Sequence, residues 1–422
     1  MFKIINVKQA TFIYSPFSGF NTASLGIFVR GGARLEEKKV KGVAHFVEHM
    51  LFKGSKNFSY KEIKREIEGR GGTLNGFTSQ EVTAFYAYFL KKNLKITLEI
   101  LLDMILNPLF EEKELEKERK VILEEIKMYN DLPSYRALSL LDKILWEGHP
   151  LGEDIIGDFS TVGRISRQDL IRFKEAFYQP KNFVIGFVGD VDEKEVVKLL
   201  EKKLSLGKIP KRKKLKSPYF LKKIKTVTEE KKLDQTHLCI GFRAPSYRSR
   251  LRFAAELIHV ILGANMSSRL FEELRERKGL CYEVSSEVKK YKDSGAFIIH
   301  TGLDKEKVVL ALDCILKELK KIKEKRVSRK ELARAKDYFL GQLSMSMEKP
   351  QSRLFYLVES YIALDKILVF KEIEECIHKI DSSLILNLAN KIFDFSKVCI
   401  SCVGNIDKDV EERIRKTVGK YC

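Results

Sequence analysis

Displaced by 215 positions, the chain resembles itself, and this constrains its fold more than any other feature. NFVIGFVGDVD (Asn182 to Asp192) falls on KVCISCVGNID (Lys397 to Asp407), setting Gly189 on Gly404 and Asp192 on Asp407. Each segment reads as an apolar strand, a glycine turn and the start of a helix. The same offset lays Gly26 of LGIFVR on Gly241 of CIGFR, and the apolar helical stretch around His45 on the one around Val260. One offset serving well-separated places points to duplication. At 422 residues the chain also exceeds the size at which a single core stops growing, about 250–300 residues, so two lobes are expected.

Between Lys202 and Lys232 the chain carries thirteen Lys or Arg residues together with Pro210 and Pro218, and no helical or strand period persists. We read residues 208–226 as a basic connector between an N-terminal domain, 1–207, and a C-terminal domain, 227–422. The fold class expected is α+β: two homologous lobes, each a twisted β-sheet with helices packed on one face. In the first lobe SLGIFVRGG and TAFYAYF read as strands, GVAHFVEHMLF as a mostly buried helix, and Glu111 to Asp131 as a long charged helix.

The net charge of +20 favours acidic partners, but sign alone does not choose among nucleic acid, anionic membrane and acidic peptides. No apolar run reaches membrane-spanning length, and the basic connector carries no nucleic-acid motif, so neither a membrane nor a nucleic acid is expected as partner. The N-terminus does not read as a signal peptide, and the seven cysteines show no paired spacing, which suggests reduced thiols in the cytoplasm. Cys399 and Cys402 stand three apart on an expected strand and so point to opposite faces, which argues against a shared metal.

His45-Phe46-Val47-Glu48-His49 is H-x-x-E-H, the inverted zincin order. On a helix the two imidazoles stand one turn apart, roughly 40° from eclipsed, and both reach one ion. Glu48 points to a neighbouring face, where it can approach a metal-bound water without ligating. Two neutral imidazoles and a carboxylate hold Zn2+ with a position left for water, and a nearby carboxylate then takes the water's proton for attack on a carbonyl. Two histidines and an acid amid Val43, Ala44, Phe46, Val47, Met50, Leu51 and Phe52 are costly unless something compensates their burial. Spacing does not select the third ligand: the charged helix offers seven glutamates, among them Glu118, Glu124 and Glu125. Glu118 and Glu125 share a face two turns apart, so either can ligate while the other supports a histidine.

GVAHFVEHMLFKGS resembles the signature helix of the pitrilysin (insulinase) family of inverted-motif zinc peptidases, and the size and layout resemble its short two-domain branch. The resemblance implies His45 and His49 as ligands and Glu48 as general base. It extends to Glu118-Arg119-Lys120-Val121-Ile122-Leu123-Glu124-Glu125-Ile126, implying Glu125 as third ligand, Glu118 as supporting acid and Glu124 as a surface residue. GGTLNGFTSQEVTAFY (Gly71 to Tyr86) resembles the family's Gly-Gly-x-x-Asn-Ala-x-Thr edge strand, with Gly76 in place of Ala, which implies pairing with the substrate backbone and a contact from Asn75. MSSRLFEELRERKGLCYEV resembles the Arg and Tyr motif, implying that Arg275 and Tyr282 bind the substrate carbonyl or its oxyanion. Arg269, His149 and His259 are read as structural.

Under the offset, Val260, Gly263 and Ala264 take the places of His45, Glu48 and His49, so the second lobe cannot bind zinc in this way. The expectation is a zinc endopeptidase, one Zn2+ per chain, cleaving oligopeptides or unfolded segments, with acidic ones favoured by charge. The resemblance further implies a homodimer around a closed chamber, with Arg275 and Tyr282 of one chain completing the site of the other.

Overall fold

A computed structural model describes residues 2–207, 217–219, 221 and 223–422. The connector expected at 208–226 therefore lies largely outside the described residues. The strands are β1 (Lys3–Val7), β2 (Ala10–Pro16), β3 (Thr22–Val29), β4 (Thr73–Thr78), β5 (Thr83–Leu90), β6 (Phe183–Gly189), β7 (Lys225–Glu230), β8 (Thr236–Arg243), β9 (Cys281–Lys290), β10 (Gly295–Leu303) and β11 (Cys399–Gly404).

They form a six-stranded sheet in the order β1-β2-β6-β3-β5-β4 and a five-stranded sheet in the order β7-β11-β8-β10-β9. Setting β1 aside, the two orders are the same, strand for strand. In each sheet one pair is parallel, β2 with β6 and β7 with β11, and every other pair is antiparallel. The duplication read from the offset is thus a duplication of topology. Gly189 and Gly404 end equivalent strands, and each is followed by a helix, Glu193–Lys203 or Lys408–Gly419, capped by Asp192 or Asp407. Each Asp accepts a backbone N–H from the first helical turn, which explains why the offset preserved it.

All seven residues of β6 are buried, as are seven of the eight in β3, so this sheet is covered on both sides. One face packs on helices from the same half of the chain, including Val43–Leu51 and Leu94–Leu106. The other carries the helix Pro350–Leu364, which comes from the second half of the sequence. Its Leu354 and Val358 pack with Phe28, Ala84, Val184 and Val188. The second sheet receives the counterpart: Pro133–Leu145, from the first half, packs Leu141 and Leu145 with Cys239, Ile298 and Cys399.

The compact units therefore differ from simple chain halves. One comprises Met1–Lys127, Asp154–Leu215 and Met345–Ile367, and the other Met128–Glu153, Lys216–Ser344 and Leu368–Cys422. Glycine permits the close crossing in both. A Cβ on Gly186 would lie 2.6 Å from Val358 and clash with Leu354, and one on Gly241 would lie 2.9 Å from Leu145 and 3.0 Å from Leu141. No helix is long and apolar enough to cross a membrane, among the described residues.

Candidate metal centre

Seven of the nine residues of the helix Val43–Leu51 are buried, and the remaining two are His45 and His49. The helix is anchored among apolar neighbours and shows only its histidine stripe. Gly42 at its start offers no capping side chain; instead the buried Glu36 carboxylate accepts from Gly42 N (2.9 Å) and Ala44 N (2.8 Å). A carboxylate at that end also complements the helix dipole.

The opposing helix, Glu112–Asp131, buries Leu115, Glu118, Ile122 and Ile126 along one stripe. Arg119 fixes it in place. Its guanidinium donates to the carbonyls of Val162 (2.5 Å) and Ile165 (2.8 Å) and lies 5.5 Å from the centre of the Phe46 ring on the histidine helix. The arginine of the E-R-x-V motif thus ties together the two elements that carry the site.

Glu125 Oε2 stands 3.8 Å from His45 Nε2 and 3.6 Å from His49 Nε2. These separations are too long for hydrogen bonds, but donor atoms about 2.0–2.1 Å from one tetrahedral cation stand roughly 3.4 Å apart. His45, His49 and Glu125 are the one trio of such side chains that converges in this way among the described residues. Burial, with a smaller contribution from His49, pushes the His45 imidazole down to about 3. It is therefore neutral near pH 7, as a metal ligand must be. Two imidazoles and a carboxylate suit zinc, so the donor set fits that ion.

His49 Nδ1 lies 3.1 Å from Glu118 Oε2, while Lys53 Nζ donates to Glu118 Oε1 at 2.5 Å. Burial alone would raise the Glu118 carboxyl, but these two partners outweigh it and hold it below the usual range. A carboxylate at this distance can accept from a protonated His49 Nδ1, the tautomer in which Nε2 could hold a metal. His45 Nδ1, by contrast, is buried with no hydrogen-bond partner. Glu124 is 70% exposed at its side chain and pairs with Lys127. The three glutamates differ in orientation: Glu125 faces both histidines, Glu118 faces one, and Glu124 faces solvent.

Glu48 is buried, which raises its carboxyl above the usual range, against the pull of a 2.6 Å hydrogen bond from Thr78 Oγ1 and of His49. Asn75 is exposed on β4, the edge of its sheet, opposite Tyr86 of β5. Arg275 and Tyr282 belong to the other compact unit. There the Arg275 guanidinium sits 4.7 Å from the centres of both the Phe271 and Tyr282 rings, and Tyr282 is 78% exposed. Arg275 lies in a π-helical stretch, Phe271–Arg277, a wide turn that recurs at functional sites.

Arg269 forms a two-pronged pair with Glu331, His259 bonds Ser286 Oγ at 2.8 Å, and His149 Nδ1 accepts from Leu151 N. Sequence reasoning missed Glu36, Lys53 and Thr78. Lys53 and Thr78 lie inside quoted motifs, yet nothing in their spacing announces the carboxylate each meets.

Two family models match the chain: Insulinase (Peptidase family M16) over residues 16–158, and the Peptidase M16 inactive domain over residues 164–339. A Bacillus subtilis protein named uncharacterized zinc protease YmxG is 32% identical over 390 residues, spanning 91% of this chain and 94% of its own. An uncharacterized zinc protease of Rickettsia bellii is 32% identical over 377 residues, 89% and 91% of the two chains. Among solved structures, a Helicobacter pylori protease matches with a TM-score of 0.88 at 21% identity, covering 96% of this chain and 99% of that one. The peptidase M16 inactive domain of Pseudomonas fluorescens matches with 0.86 at 20% identity, covering 96% and 98%. At such identities the structures establish the fold, and the curated relatives establish the family. The chain belongs to the pitrilysin/insulinase family, peptidase family M16, as one of its short two-domain members.

Proposed function

We propose that this protein is a zinc-dependent endopeptidase that hydrolyses peptide bonds of oligopeptides or unfolded segments within an enclosed chamber. The observation that carries the reading is the convergence of His45 Nε2 and His49 Nε2 on Glu125 Oε2, with the Glu48 carboxylate on the same helix. A zinc ion held by these three residues supplies Lewis-acid polarisation of the scissile carbonyl and makes water acidic enough to attack near neutral pH. Glu48 is the general base. Its Oε2 is engaged by Thr78, so Oε1 takes the proton and later passes it to the leaving amine. Glu118 keeps the His49 ring in its ligating tautomer, and Asn75 on the edge strand meets the substrate backbone.

The test is to measure bound zinc and then cleavage of an unstructured peptide by wild type and Glu48→Gln. Near-stoichiometric zinc in both, with turnover reduced by about 10²–10⁴ in the variant, supports the reading. Equal turnover removes Glu48 from the mechanism.

Arg275 and Tyr282 complete the site from the second chain of a homodimer in this reading, which rests on the resemblance and on the exposure of Tyr282. Mixing Glu48→Gln with Tyr282→Phe checks it: random heterodimers restore about a quarter of wild-type turnover if the arrangement is in trans, and none if it is in cis. The excess of 20 positive charges supports acidic peptides as the preferred substrates, and the unpatterned cysteines support the cytoplasm.

A further inference from the structure

The Glu48 side chain has rotatable bonds enough to turn either oxygen toward a substrate, yet one of them is already taken. Thr78 Oγ1 donates to Oε2 at 2.6 Å, a short bond to a buried carboxylate of the charge-assisted kind. Thr78 is itself held. It ends β4, pairs in register with Thr83 of β5, and faces the histidine helix as Gly76 does, whose missing Cβ would come within 3.1 Å of the Phe52 ring.

The turn that follows is pinned from two sides. Within it, Ser79 N donates to Val82 O at 2.7 Å, and Ser79 Oγ accepts from Val82 N at 3.1 Å. From outside, Ala33 N and Arg34 N donate to the carbonyls of Ser79 and Gln80, and the Arg34 guanidinium pairs with Glu81 at 2.7 Å. Thr83 Oγ1 donates to Gly31 O at 2.8 Å, tying the return strand to the same segment. The hydroxyl that meets Glu48 is thus fixed by the sheet and by its turn, independently of the histidine helix.

We infer that Thr78 is a positioning residue for the base, holding Oε2 so that Oε1 alone faces the reacting water. The inference rests on Glu48 being the base and adds to that reading the group that aims it. A hydroxyl with only a packing role would be replaced by a methyl of the same shape at little cost to turnover. An aiming role makes the same replacement costly to kcat and to little else.

The experiment compares Thr78→Val, which keeps the shape and removes the hydroxyl, with Thr78→Ser, which keeps the hydroxyl and removes a methyl. Each is made in the wild-type and Glu48→Gln backgrounds, with kcat, KM and bound zinc measured for an unstructured peptide. Thr78→Val lowers kcat by about 10–100-fold, the worth of a hydrogen bond to a charged group, with KM and zinc content near wild type. Thr78→Ser recovers kcat to within a few-fold. With Glu48→Gln already present, Thr78→Val has no further effect on residual turnover, since the group it aims is gone. An unchanged kcat in Thr78→Val, a loss shared equally with Thr78→Ser, a loss accompanied by loss of zinc, or additive losses in the double variant each overturn the inference while leaving the peptidase reading in place. Wild-type turnover in Glu48→Gln itself overturns the base assignment, and Thr78 with it.

Discussion

Replacing Glu118 by Gln weakens zinc binding without removing a ligand. The carboxylate spans two donors, His49 Nδ1 at 3.1 Å and Lys53 Nζ at 2.5 Å, and is 7% exposed at its side chain. A glutamine keeps one acceptor oxygen and turns an amide N–H2 toward the second donor, so one charge-assisted bond becomes a donor facing a donor. A hydrogen bond to a charged group contributes about 1.5–3 kcal/mol. The share that reaches the metal through the tautomer and basicity of His49 is a loss of about 10–100-fold in affinity, roughly 1.4–2.7 kcal/mol.

Zinc dissociation constants from competition with a chromophoric chelator measure this directly. Two controls calibrate the result. Glu124→Gln removes an exposed carboxylate whose partner is Lys127 and leaves affinity unchanged. Glu125→Gln removes the carboxylate facing both histidines and costs more than Glu118→Gln. The expected order of loss is Glu125, then Glu118, then Glu124. Wild-type affinity in Glu118→Gln, or a comparable loss in Glu124→Gln, would refute the division of labour among the three glutamates.

Chelating the zinc removes a ligand that binds the folded state only, so the unfolding midpoint falls. At free zinc of about 100 times the dissociation constant the lost stabilisation is about 2.7 kcal/mol, and a His45→Ala variant shows no such chelator dependence. Gly186→Ala drives a methyl into Leu354 and Val358 of the helix Pro350–Leu364 and costs about 1–3 kcal/mol; combined with Leu354→Ala in denaturant titrations it costs less than the sum of the two single changes. Strict additivity would show that this helix does not lie on this sheet. His300, half-buried and hydrogen-bonded to His237 Nδ1 at 3.1 Å, is pushed down to about 4 by desolvation and then by the His237 charge. The unfolded chain takes up that proton near 6.5 and the folded chain only near 4, so stability is flat above that window and falls by up to about 3 kcal/mol as pH drops from 6.5 to 4. His300→Gln flattens that slope, which unfolding midpoints across the same pH range will show.

Much of the fold was legible because its signals are local. The apolar runs of LGIFVR and TAFYAYF, the apolar neighbours of His45 and the Asp that caps a helix after a glycine turn each act within a few residues, and duplication wrote most of them twice. The histidine pair was legible for the same reason, since i and i+4 on a helix are neighbours by geometry. The third member of the cluster was not: Glu125 lies 76 positions beyond His49, and only the resemblance separated it from Glu118 and Glu124, whereas the fold brings its carboxylate to the two imidazoles.

Tertiary structure alone decided which sheet each exchanged helix covers. An amphipathic helix carries an apolar stripe but no address, and nothing in the spacing of Leu141 or Leu354 names the sheet it covers. Where the backbones cross closely, the choice shows as Gly186 and Gly241, glycines whose reason is invisible until the opposing side chains are in place. The partners of the site's carboxylates, Thr78 on Glu48 and Lys53 on Glu118, were decided in the same way. A hydrogen bond between residues far apart in the chain leaves no period or spacing to read, only the two side chains that packing brings together.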